Sequence, residues 1–195
     1  MNICIYGASS ELIEQKYKDV VYDLSVSLAK SGHTLIFGGG THGVMGACAR
    51  GFKAGGGKVV GVIPKFFKET SAEILFTDCD KTFWCDTMYE RKQIMEEQSD
   101  AFIIAPGGIG TYDEFFSVLT TKQLDRHTKP IIIFGPFGFY DGFDQIFDNA
   151  IKGGFVKKSC LDLFGKFDDI DGLIKYLGSE KPFEYLKNKK SLKDG

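Results

Sequence analysis

Short apolar runs alternate along the chain with stretches whose apolar positions recur every three or four residues. Residues 3–6, 33–37, 58–63, 101–105 and 130–134 read as strands. Residues 16–30, 44–54, 87–99, 111–124, 140–152 and 169–177 read as helices. The strand runs are apolar throughout instead of alternating with polar residues. A strand of that kind has both faces covered, which points to a parallel sheet between two layers of helices. The order predicts a doubly wound α/β domain, Rossmann-like in the broad sense. The irregular stretch 64–86 carries aromatics but little periodicity and reads as a loop long enough to be functional.

Composition narrows the picture without redrawing it. The chain has 195 residues, 43% of them hydrophobic, enough for one globular domain over 1–186. A Lys-rich stretch at 187–195 reads as a solvated tail. The net charge of −2 offers no basic surface for nucleic acid or an anionic membrane. No apolar run is long enough to span a bilayer, and the N-terminus does not read as a signal peptide. The five cysteines form no CxxC pair, which suits reduced thiols in the cytoplasm. The three histidines are scattered, so no metal site is expected.

Two glycine-rich turns carry candidate chemistry. Gly38, Gly40 and Gly43 match G-x-G-x-x-G between a strand and a helix. The acidic residue that would hold a dinucleotide's ribose is missing from the end of the next strand. This turn is read either as close packing or as part of a nucleotide pocket. The second turn, Gly107, Gly108 and Gly110, feeds a helix that opens Thr111-Tyr112-Asp113-Glu114. Its amides and the positive end of the helix dipole suit a phosphate. Thr111 and Glu114 also have capping-box spacing, and on spacing alone the cap is the favoured role for Glu114. A carboxylate there would also face the ligand site.

On the helix over 87–99, Met88, Arg91 and Met95 fall on one side, which turns Arg91 inward. A buried arginine needs a carboxylate or phosphate partner; the other reading is a guanidinium that snorkels out while its stem packs.

The stretches MYERKQIM and PGGIGTYDE together resemble the LOG (lonely guy) family of cytokinin riboside 5′-monophosphate phosphoribohydrolases, as do GGGTHGVMG, VVGVIPK and SDAFIIAPGG. The resemblance implies catalytic roles for Arg91 and Glu114. It places nucleotide contacts at Lys92, Gly108, Ile109, Gly110, Thr111, Tyr112, Asp113 and Thr120, with Met88 and Gly107 counted beside them. It implies cleavage of an N-glycosidic bond in an adenine-type nucleoside 5′-monophosphate, without metal or cofactor, in a homodimer whose active sites lie near the interface. Tyr89 stands where the family usually has histidine. In the stretch 64–86, which departs from plant members, Glu69 is only a candidate substrate contact. The rival readings are a broader nucleosidase of AMP and other purine nucleotides, and a non-enzymatic molybdenum-cofactor carrier. Nothing in the sequence supports a pyridoxal phosphate site.

Overall fold

The computed structural model describes residues 1–68 and 74–179. Its centre is a seven-stranded sheet in the order β4-β3-β2-β1-β5-β6-β7, parallel throughout. The strands are β1 (Asn2–Tyr6), β2 (Thr34–Phe37), β3 (Lys58–Pro64), β4 (Lys81–Cys85), β5 (Ala101–Ile104), β6 (Ile131–Phe134) and β7 (Gly165–Phe167). The helices are α1 (Gln15–Lys30), α2 (Gly43–Ala54), α3 (Met88–Glu97), α4 (Ile109–Gln123), α5 (Asp141–Lys152) and α6 (Ile170–Leu177). This is the doubly wound arrangement that the alternation of runs predicts.

The pleat divides each strand's apolar residues between two cores. Ile3, Ile5, Leu35, Phe37, Ile103 and Phe134 face one core, closed by α1, α2 and α6 through Leu24, Phe52 and Leu173. Cys4, Tyr6, Ile36, Phe102, Ile104 and Ile133 face the other, closed by α3, α4 and α5 through Met95, Phe115 and Phe143. Burial on both faces is the reason those strands lack alternation.

Two strands escape the periodicity reading. β4 lies inside the stretch expected to be irregular. Among the described residues it is an edge strand pairing only with β3, so its outer positions stay partly exposed and the apolar run is broken. β7 has three residues and pairs only with β6. Glu69 and the tail 187–195 lie outside the described residues.

Strand order reverses at β1. The chain moves outward through β2, β3 and β4, then returns to lay β5 against the other side of β1, with Ile3 beside Ala101 and Tyr6 beside Ile104. Loops leaving β1 and β5 diverge to opposite faces, and a crevice opens between them at the carboxyl ends of the strands.

Candidate active site

A cleft of about 500 Å³ occupies that crevice. One wall is the loop after β1, Gly7, Ala8, Ser9 and Ser10, with Met45 behind it. The Ala8 amide donates to the Pro106 carbonyl at 3.2 Å, and the Met45 amide donates to the Ala8 carbonyl at 3.1 Å. The other walls come from the first two turns of α3 and α4. They supply Met88, Tyr89, Arg91 and Lys92 on one side, and Gly108, Gly110, Thr111, Asp113 and Glu114 on the other.

α4 begins earlier than its sequence suggests. Ile109 is already helical, Gly108 is the cap residue, and no side chain caps the end. Thr111 sits inside the first turn and is only 4% exposed. The capping-box reading of Thr111 and Glu114 is therefore corrected. Glu114 lies in the second turn, on the wall of the cleft. The helix is already under way two residues before Thr111 is reached. The first four amides of a helix have no acceptor within it, so this end offers donors to whatever enters the cleft.

Gly108 and Gly110 need no glycine for the fold. Both have negative φ, and a Cβ at either would meet nothing within 4 Å. Their missing side chains keep the floor of the cleft open, as close approach of a ligand to the backbone requires. Gly107 differs, since a Cβ there would strike the side chain of Thr111.

A true cap is found at α3. Thr87 Oγ1 accepts from the Glu90 amide at 3.0 Å, and the Glu90 carboxylate accepts from the Asp86 amide at 2.8 Å. Arg91, one turn further on, points inward and is 5% exposed. Its Nε donates to the Val62 carbonyl at 3.3 Å and its Nη2 to the Gly38 carbonyl at 3.0 Å. The snorkelling alternative is thus overturned, and the partners found are main-chain carbonyls. A Cβ at Gly38 would fall on the guanidinium in its bonded position, so the glycine leaves room for Arg91 as it stands. The first glycine turn serves the site by making room for Arg91.

Lys92 reaches across the cleft to Asp113, Nζ to Oδ2 at 2.9 Å. Cys4 and Tyr6 of β1 are buried within electrostatic range of Glu114. Burial, with the Glu114 charge adding to it, pushes the Cys4 thiol and the Tyr6 phenol well above their usual values. Both are held in their neutral forms.

Among the residues picked out from sequence, the structure brings together Met88, Arg91, Lys92, Gly108, Gly110, Thr111, Asp113 and Glu114. Ile109 is beside them but projects outward. Tyr112 packs against Tyr140 and Phe143, ring centroids 6.2 and 5.3 Å away, on the core side of α4. Thr120 is exposed on a later turn of α4 and is not part of the lining. Gly107 lines a neighbouring cleft of about 350 Å³ with Tyr17 and Phe139. Sequence reasoning missed Gly7 to Ser10. The available signal was position: a first strand that becomes central puts its loop at the switch point, but strand order must be known first.

Among the described residues, no three His, Cys, Asp or Glu side chains gather as a metal site, and no helix is long and apolar enough to cross a membrane.

Fold and cleft together define an open parallel-sheet protein with a ligand site at its switch point, built from an uncapped helix start, a carboxylate and a buried guanidinium. A sequence model of the family described as "possible lysine decarboxylase" matches residues 45–177. The chain is 38% identical over 172 residues to a cytokinin riboside 5′-monophosphate phosphoribohydrolase of Mycobacterium tuberculosis, covering 86% of this chain and 88% of that one. It is 36% identical over 158 residues to an Arabidopsis thaliana protein of the same name, covering 81% and 73%. The chain belongs to the LOG family of cytokinin riboside 5′-monophosphate phosphoribohydrolases. A molybdenum cofactor carrier protein from Chlamydomonas reinhardtii superposes with a TM-score of 0.67 at 20% identity, covering 90% of this chain and 94% of that one; this likeness is one of fold.

Proposed function

We propose that this protein hydrolyses the N-glycosidic bond of N6-substituted adenosine 5′-monophosphates, releasing the free base and ribose 5-phosphate. The observation that carries the reading is the α4 start: an uncapped helix end, open at Gly108 and Gly110, with Glu114 one turn further along the same cleft. A phosphate on the amides of residues 108–111 suits their partial positive charge. It would hold the attached ribose over Glu114, so that binding energy goes into position.

N-glycosidic cleavage passes through a sugar cation resembling an oxocarbenium ion. A carboxylate beside C1′ stabilises that charge and aligns the attacking water. We assign that role to Glu114, which lines the cleft. A guanidinium is a poor proton donor, so Arg91 is not assigned the leaving group's proton. With Nε and Nη2 bound to carbonyls, it acts as a fixed positive charge that orients Glu114 and the sugar. The Lys92–Asp113 pair bridges the cleft near the phosphate end.

A broader nucleosidase acting on AMP differs only in the base. Rates of base release from AMP and from its N6-isopentenyl analogue decide between them. The lysine lining this cleft is held in an ion pair and is not presented as a free amine, which favours hydrolysis over pyridoxal phosphate chemistry. The assembly we infer is a homodimer, for which exposed Phe116 and Ile146 offer apolar surface, and the location the cytoplasm, which suits five free cysteines.

The test is Glu114→Gln, which keeps size and hydrogen bonding and removes the charge. Base release is expected to fall roughly 10²–10⁴-fold with the melting temperature unchanged. Near-normal turnover would reduce Glu114 to a structural residue.

A further inference from the structure

Tyr89 is 77% exposed, yet it lines the cleft that holds Arg91 and Glu114. Packing does not account for it, since the ring is in neither core. The backbone beneath it is firmly held. Thr87 and Glu90 cap the helix start on either side of it, and Arg91 is anchored to Val62 and Gly38 two residues later. A side chain with few rotatable bonds on a fixed turn makes a contact surface that loses little entropy when something settles on it.

The other groups on this side of the cleft are committed. Arg91 Nε and Nη2 are bonded into the wall, its Nη1 lies 3.8 Å from the Met88 sulfur, and Lys92 is tied to Asp113. The phosphate end, at residues 108–111, is on the opposite wall. A nucleotide anchored there and crossing Glu114 would bring its base to the rim formed by Met88 and Tyr89. A purine has apolar faces wide enough to cover a phenol ring, and every purine has them.

We propose that Tyr89 is the base-binding residue of the site: its ring is the platform on which the purine of the substrate stacks, with Met88 alongside. The proposal rests on the nucleotide-hydrolase reading above. Stacking uses the ring and not the hydroxyl, and it is indifferent to an N6 substituent.

The experiment compares wild type, Tyr89→Ala and Tyr89→Phe with AMP and N6-isopentenyl AMP as substrates, and with ribose 5-phosphate as an inhibitor lacking the base. Tyr89→Ala is expected to raise KM for both substrates roughly ten- to hundredfold, as loss of one base–aromatic stack does. Its kcat should stay within about threefold, the sign of lost uniform binding. Tyr89→Phe should restore KM, and the inhibition constant of ribose 5-phosphate should not move in either variant. An unchanged KM in Tyr89→Ala overturns the proposal, as does a parallel rise for ribose 5-phosphate or an effect confined to the N6-substituted substrate. A change of oligomeric mass in Tyr89→Ala would make Tyr89 a subunit contact and would also overturn it. Failure of the underlying reading looks different, because wild type itself would then release no base.

Discussion

The two helices that face each other across the cleft begin with the same four-residue pattern, Thr-x-x-Glu, and use it in opposite ways. At α3 the threonine and glutamate serve the helix itself: Thr87 takes the Glu90 amide and Glu90 takes the Asp86 amide. At α4 the helix has already started at Ile109, Thr111 is buried in its first turn, and Glu114 lines the cleft. What decides is where each helix starts relative to the pattern: Thr87 is itself the extended residue before α3, whereas the extended residue before α4 is Gly108, three positions ahead of Thr111. A helix start that satisfies itself can display side chains rigidly. One that does not leaves its amides for a ligand. The site needs one of each.

Giving α4 a cap like the one at α6 should break the comparison most severely. There, the Asp169 carboxylate accepts from the Gly172 amide at 2.6 Å. Gly108 has φ −103° and ψ −150°, which any residue can adopt, and open space around its missing Cβ. Gly108→Asp should fold normally and gain a few tenths of a kcal/mol in stability. Its carboxylate would take the amides that the proposed function assigns to the phosphate and would repel the anion. Base release should drop by about a hundredfold or more while the melting temperature holds or rises. Wild-type KM in this variant would mean that the α4 amides are not the anion site.

Gly38→Ala tests the other wall, with the cost falling on the fold. Its Cβ would overlap the Arg91 guanidinium, which is enclosed and bonded to the same residue's carbonyl. Overpacking of this kind costs about 1–3 kcal/mol. Denaturant unfolding should show that loss together with reduced turnover. A variant as stable as wild type would show that Arg91 moves freely, against its two main-chain bonds.

Much of this is legible in the residues and some is not, for identifiable reasons. The central strands are readable because burial on both faces leaves an uninterrupted apolar run. β4 is not, since an edge strand is half exposed and its Lys81-Thr82-Phe83-Trp84-Cys85 sequence resembles an aromatic loop. The inward turn of Arg91 follows from helical spacing alone. Its partners do not, because the Val62 and Gly38 carbonyls come from 29 and 53 residues away. The reason for Gly38 is equally non-local. A cap at Thr111 is the wrong reading because the tetrad's spacing takes no account of a helix already begun at Ile109, while the tetrad at Thr87 has the same spacing and is a cap.

The mildest and most discriminating prediction concerns that second tetrad. Thr87→Ala removes the acceptor of the Glu90 amide and should cost about 1 kcal/mol, typical of a lost N-cap. For a domain of this size that is a fall of roughly 2–4 °C in Tm. Activity should respond less than stability. Arg91 is held by Val62 and Gly38 and not by the cap, so kcat should stay near the wild-type value. Met88 and Tyr89 sit in the loosened turn, so KM should rise by a small factor, about two- to threefold. A collapse of kcat in Thr87→Ala would mean that the cap, and not the carbonyl anchors, sets the position of Arg91. The two helix starts would then be coupled through that side chain, and the division of labour between them would be less complete than their hydrogen bonds indicate.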